Sequence, residues 1–343
     1  MYKTAKEKLP AVLDAISRYF SLYLPVDYED GAVFEAYSYG KTLSSKVNTV
    51  KSPKEYFFPQ TETLVNFKVD GKSLSIIDPR RESEDFVIFG MRACDVKSLA
   101  ILDRVFLSDP IDTYYENRRR HGIIVSMACS KPAATCFCTT FGIDPSEPDG
   151  DAILYLDKDT LYLNIKTEKG AKLLTPLQGI IVDCEQNEVD TQKNLIRERL
   201  KKLPLSSLQT TTFSSGKTDD FFSSEVWETL SDTCLGCGSC TYVCPTCHCY
   251  DIKDFKTADG IRRFRCWDSC MFSDFTQMSH GNPRTKQSER FRQRFMHKLV
   301  YYPTNHDGIF SCVGCGRCLK SCPINMNIVK VMKALGGEGN GKQ

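Results

Sequence analysis

The residues best suited to chemistry in this chain are cysteines in two runs of identical spacing. The first is Cys234-x2-Cys237-x2-Cys240-x3-Cys244-Pro245, and the second is Cys312-x2-Cys315-x2-Cys318-x3-Cys322-Pro323. A cubane [4Fe–4S] cluster needs a thiolate on each of four irons, and three closely spaced cysteines wrap one side of it. Gly236, Gly238, Gly314 and Gly316 let the backbone bend between them and bring N–H groups toward sulfur. The fourth cysteine of such a run, followed by proline, normally serves the neighbouring cluster. Cys234, Cys237, Cys240 and Cys322 are therefore expected around one cluster, and Cys312, Cys315, Cys318 and Cys244 around the other. Paired zinc sites also use Cys-x2-Cys, but zinc has no need of the full run twice. Two clusters in one segment make an electron wire.

The chain has 343 residues and 17 cysteines, so nine lie outside the runs. Cys94, Cys129, Cys136 and Cys138 form one set. Cys94 and Cys129 each follow an expected strand and would emerge at one carboxyl edge of a parallel sheet, where ligands usually bind. Cys136-Phe137-Cys138 lies in the next loop and can fold back to that edge. A third iron–sulfur cluster is the reading here, against buried cysteines acting as small hydrophobes. Cys247, Cys249, Cys266 and Cys270 form another set. Cys266 and Cys270 are four apart and would share a helix face, and His248 is an added candidate ligand. A further cluster at this set is a hypothesis of the same kind. Cys184 is left over as a buried thiol with no metal role.

The elements that must carry these residues change character along the chain. Residues 5–24 have apolar residues at helical spacing. Residues 86–90 and 122–126 read as buried strands around a helix at 95–106, hence a parallel βαβ unit. Residues 152–155 and 160–165 read as a hairpin, and 186–203 as a charged surface helix. Residues 204–224 are Ser/Thr-rich without periodicity and read as a linker. Strand signals nearly vanish beyond it, and helices are expected at 223–230 and 287–299. The expected architecture is α+β: a mixed α/β domain at 1–203, the linker, an α-helical ferredoxin-like domain with two [4Fe–4S] motifs at 225–335, and a flexible tail at 336–343. The long interval between Cys244 and Cys312 favours that helical form over the small βαβ ferredoxin.

At these residues the chain resembles a known family. Cys244-Pro-Thr-Cys-His-Cys-Tyr-Asp251, Trp267-Asp-Ser-Cys-Met-Phe272 and the second run are similar to a family of 4Fe-4S dicluster proteins. That family includes the sulfhydrogenase beta subunit together with the A component of anaerobic sulfite reductase. Ser52-Pro-Lys-Glu-Tyr-Phe-Phe-Pro-Gln-Thr-Glu-Thr-Leu64, Arg92-Ala-Cys-Asp95 and Thr135-Cys-Phe-Cys-Thr139 agree with it. The resemblance implies a cytosolic, anaerobic electron-transfer subunit with two [4Fe–4S] clusters. It would sit in a hetero-oligomer with two kinds of partner. One is a flavin/NAD(P)H subunit. The other is a catalytic redox subunit, either a nickel–iron hydrogenase or a sirohaem sulfite reductase. The resemblance implies no catalytic residue in this chain. A competing reading makes the chain a redox enzyme that reduces a disulfide or sulfur compound at the N-terminal cysteine set.

Composition narrows the partners. Lys plus Arg is 45 and Asp plus Glu is 43, so the formal charge of +2 gives no sign of nucleic acid. The N-terminus has no secretory core, and no apolar run approaches the roughly 18 residues of a bilayer span. An odd cysteine count excludes complete internal pairing, and the reducing cytoplasm is the expected compartment. Residues 262–298 hold nine Lys or Arg against three acids. That excess suits charge compensation at anionic clusters, an acidic partner, or a solvated helix face. Arg92 and Asp95 flank Cys94 and suit either a phosphate or an ion pair. No Gly-x-Gly-x-x-Gly, His-Glu-x-x-His or Gly-x-Ser-x-Gly motif is present.

Overall fold

In the computed structural model every residue is described except 30, 47, 81–83, 214, 215, 259 and 337–343. The expected tail at 336–343 thus lies outside the described residues, Gly336 apart. The strands in chain order are β1 (Tyr2–Ala5), β2 (Ser21–Tyr28), β3 (Gly31–Ala36), β4 (Thr61–Asp70), β5 (Ser73–Ile77), β6 (Phe86–Arg92), β7 (Gly122–Met127), β8 (Ala152–Leu156), β9 (Thr160–Ile165), β10 (Val182–Asp183), β11 (Tyr250–Thr257) and β12 (Gly260–Trp267). They fall into two compact units, Met1–Pro53 with Ser83–Thr210 and Cys312–Arg317, and Lys54–Glu82 with Thr211–Ser311 and Cys318–Gln343. The boundary at Thr210 lies within the expected linker. Residues 54–82, which the sequence places in the N-terminal domain, belong to the second unit.

The first unit is built on an eight-stranded sheet ordered β10-β1-β9-β8-β7-β6-β2-β3. Its centre is parallel: β2 pairs β6, β6 pairs β7 and β7 pairs β8 in parallel, while the outer pairs are antiparallel. β6 and β7 are nearly continuous apolar runs because both sheet faces are covered. Helix α1 (Leu9–Ser17) buries Val12, Leu13 and Ile16 against Leu24, Val87, Phe89 and Val125. The helical spacing that continues to residue 24 in the sequence does not survive. Residues from Ser21 form β2, because Leu22 and Leu24 are captured by the sheet core. Helix α2 (Ala93–Phe106) starts directly at the carboxyl end of β6, and the expected βαβ unit is present.

The second unit departs from the helical expectation. It holds a four-stranded antiparallel sheet ordered β11-β12-β4-β5, besides helices Val226–Ser231 and Gln287–Met296. β11 and the first half of β12 are largely exposed on both faces. Charged residues therefore interrupt any apolar alternation, and the strands left no period-2 signal. The expected linker is also ordered in part: helix Thr218–Phe222 lies within it, and Phe213 and Phe221 are buried with rings 5.3 Å apart. Among the described residues no helix is long and apolar enough to cross a membrane.

Candidate metal centres

The second unit gathers Cys234, Cys237, Cys240 and Cys322 around one cavity, with Met271, Phe291 and Phe295 on its apolar side. Cys322 comes from the second run, more than 80 residues from its three companions in sequence. Local bonds aim donors at these sulfurs. The Met326 amide donates to Cys322 Sγ at 3.2 Å, and Ser239 Oγ lies 3.4 Å from Cys237 Sγ. Hydrogen bonds from Ser239 hold the Cys237 thiol below its ordinary range. The Gln287 side chain donates to the Cys234 carbonyl. Gly238 adopts φ 72°, and a Cβ there would stand 2.6 Å from the Phe272 ring.

Arg294 lines the same cavity and is 3% exposed. Its Nε has no hydrogen-bond partner. Burial opposes its charge, yet the thiols of Cys240, Cys318, Cys247 and Cys244 hold the guanidinium protonated above its ordinary range. A buried cation with an orphaned donor, facing cysteines, suits an anionic occupant. Four thiolates on an iron–sulfur cluster supply that charge, so these residues fit the group. The basic excess at 262–298 is thus not one solvated face. Arg265 pairs with Glu62 in the interior, and Arg294 and Lys298 are buried.

Cys244 lies beside Thr246, whose Oγ1 is 3.3 Å from its sulfur. The Lys54 ammonium donates to the carbonyls of Cys244 (2.9 Å) and Cys247 (2.6 Å) and sits 4.0 Å over the Trp267 ring. Lys298 Nζ donates to Thr246 Oγ1 at 2.8 Å. Cys249 and Cys270 share a hydrogen bond, which pulls the Cys249 thiol down, and Cys247 interacts with both Cys244 and Cys270. Cys266 does not join them. It lies on β12, not on a helix, and the period of two turns it away from the face that buries Arg265 and Trp267. Its charged neighbours are Lys253, Asp251 and Asp268. Of the expected four-cysteine set, Cys247, Cys249 and Cys270 thus lie together, with Cys244 of the first run beside Cys247. His248 contacts the Thr246 carbonyl and the His297 ring.

In the first unit Cys94, Cys129, Cys136 and Cys138 are each 6–7% exposed. Cys94 opens α2 after β6 and Cys129 follows β7, so both leave the same end of two parallel strands. Cys138 interacts electrostatically with Cys136 and Cys129, and Cys94 with Cys138. Burial pushes the Cys136 thiol up to about 11 and raises the other three. Residues 312–317 lie against this loop. The Phe137 amide donates to the Gly314 carbonyl at 2.9 Å, and Asn48 Nδ2 reaches the Cys315 carbonyl (2.8 Å) and Cys136 Sγ (3.8 Å). Cys315 itself is buried and interacts with Cys94, Cys136 and Cys138. Cys184 is half-buried, not buried, because it follows the two-residue edge strand β10.

Asp95 forms an ion pair with Arg317, and Arg92 donates to the Lys46 carbonyl. Asn48 has no signal as a site residue in the sequence, whereas Lys54 lies in the Ser52–Leu64 string and Arg317 within the second run, though neither has a ligand's chemistry. Among the described residues no three His, Cys, Asp or Glu side chains converge as ligands of a single ion. A cubane spreads its thiolates over four irons, so its ligands stand wider apart than those of one ion.

Comparison with known proteins gives two matches. The family model of the 4Fe-4S dicluster domain matches residues 233–326. Sulfhydrogenase 2 subunit beta of Pyrococcus furiosus is 32% identical over 336 residues, covering 96% of each chain. No solved structure matches.

Proposed function

This chain belongs to the family of 4Fe-4S dicluster electron-transfer subunits typified by sulfhydrogenase beta subunits, and from that premise we propose that it relays electrons inside a hetero-oligomeric redox complex. It is an iron–sulfur protein with two [4Fe–4S] clusters. Cys234, Cys237, Cys240 and Cys322 are the ligands of one, and Cys312, Cys315, Cys318 and Cys244 are those of the second. On one side of the relay stands a flavin/NAD(P)H subunit. On the other stands a catalytic redox subunit: a hydrogenase or a sirohaem sulfite reductase.

The carrying observation is the cavity that joins three cysteines of the first run to Cys322 of the second, with Arg294 buried beside them. When bound, the clusters accept and release single electrons. The chain's own part is to exclude water, to hold thiolates in place and to set potential. Phe291, Phe295 and Met271 keep the cavity dry. The Met326 amide and Ser239 hydroxyl withdraw charge from sulfur, and Arg294 offsets what remains. The competing reading, a substrate-reducing site at the N-terminal cysteines, is disfavoured because each of those thiols is almost wholly buried.

The test is anaerobic purification with the co-expressed neighbours, followed by rapid mixing with NAD(P)H. Cluster bleaching that requires the flavin subunit, and reoxidation that requires the catalytic one, is the expected result. Turnover of a sulfur substrate by this chain alone would overturn the reading. Nickel or sirohaem in the purified complex names the catalytic partner.

A further inference from the structure

The four N-terminal cysteines have no part in the two dicluster runs, yet the fold assembles them with more care than packing requires. β6 and β7 are adjacent parallel strands, and their carboxyl ends deliver Cys94 and Cys129 side by side. The next loop is pinned by hydrogen bonds from the Cys129 amide to Pro145 O (2.8 Å) and from the Cys136 amide to Ala133 O (3.0 Å). It brings Cys136 and Cys138 back to the same place, with Asn48 donating toward Cys136 sulfur. Four thiols meeting at one sheet edge, each at most 7% exposed, exceed what small apolar side chains would be used for. A disulfide framework is out of keeping with them, since all four are free thiols in the structure.

We propose that Cys94, Cys129, Cys136 and Cys138 hold a third iron–sulfur cluster. The donor set, four cysteines in a buried pocket at the ligand-binding edge of a parallel sheet, is that of a four-thiolate cluster. Its surroundings supply what such a group needs. Arg92 lies near Cys129 and offsets thiolate charge, while Arg317, near Cys94, is paired with Asp95. The site also lies against the second run. Backbone from Thr135 to Cys138 packs so closely on Gly314 and Gly316 that a Cβ at either would come within 2.4 Å of a carbonyl oxygen. Cys315, a ligand of the second cluster in the relay reading, therefore neighbours this set directly, and the wire gains a third station in the first unit. The placement rests on the relay reading only for its use; the site itself does not.

Iron, zinc and acid-labile sulfide are counted on the anaerobic full-length chain, and the dithionite-reduced protein is integrated by electron paramagnetic resonance. About ten to twelve irons per chain are expected, with more than two unpaired spins. The Cys129→Ser/Cys138→Ser protein should lose about two to four irons while both dicluster signals persist. A Cys184→Ser protein should lose none. Eight irons and two spins in the wild-type chain overturn the proposal, whether or not the variants fold. So does one zinc per chain replacing the extra iron, or a folded double variant with its full iron. These outcomes leave the relay reading standing, which fails instead if eight irons are present and exchange no electrons with the partner subunits.

Discussion

Arg317 closes on Asp95 through two parallel hydrogen bonds, Nη1 to Oδ1 at 2.6 Å and Nη2 to Oδ2 at 2.9 Å, and both side chains are at most 4% exposed. The pair spans 222 positions in sequence. One partner follows Cys94 and the other lies between Cys315 and Cys318, so a buried fork fixes the second run to the turn that carries the N-terminal cysteine set. Arg317 also donates to Thr49 O (2.9 Å) and Thr49 Oγ1 (3.0 Å), which extends the fork to a third segment.

Removing one side of that fork leaves a buried charge uncompensated. Asp95→Asn is expected to cost about 3–5 kcal/mol of stability, and Arg317→Lys somewhat less, because lysine cannot donate as a planar fork. Anaerobic thermal unfolding measures the loss, and iron counts show whether the second run then binds its cluster poorly. An Asp95→Asn protein with wild-type Tm and full iron would remove the fork from the account.

Arg294 should set the potential of the cluster proposed at Cys234, Cys237, Cys240 and Cys322. Reduction adds negative charge, and a buried cation favours it. Arg294→Met is expected to lower the midpoint potential of one cluster by about 60 mV, equivalent to about 1.4 kcal/mol for a one-electron couple. A potentiometric titration followed by electron paramagnetic resonance reads it, and an unchanged or higher midpoint would contradict the role.

Cys322 and Cys240 should act as one unit although they belong to different runs. Cys322→Ser and Cys240→Ser are each expected to weaken the same resonance signal, and the double variant to lose no more than the four irons of one cluster. Loss of two distinct signals, one per variant, would mean that each run keeps its own cysteines.

Gly314 adopts φ 58°, and a Cβ there would lie 2.4 Å from Phe137 O and 2.6 Å from the Cys138 amide nitrogen. Gly314→Ala thus combines backbone strain with a clash and is expected to cost more than about 2 kcal/mol. Gly308 has φ 77° with open space around it, so Gly308→Ala should cost only about 1 kcal/mol. Equal shifts in unfolding midpoint for the two variants would show that the close approach does not matter.

The cysteine runs could be read from the sequence because ligand spacing is local. Three thiols within seven residues meet the same group whatever the rest of the chain does. The strands β6 and β7 were equally legible, since a buried parallel strand is apolar throughout. Other features were hidden, because they depend on residues far apart in the chain. β11 and the first half of β12 are exposed on both faces, so they carry no alternation to read, and β12 pairs with β4, about 200 residues earlier. That pairing is what puts Cys266 on a strand and away from Cys247, Cys249 and Cys270. Likewise, nothing near Arg317 in sequence names Asp95, and nothing near Arg294 shows that its charge is buried among thiols. Sequence alone determined that this protein binds clusters and which cysteines form each run. Tertiary structure alone decided which charges stand against the sulfurs and where the spare cysteines meet, because burial and electrostatic pairing arise only once distant segments close on one another.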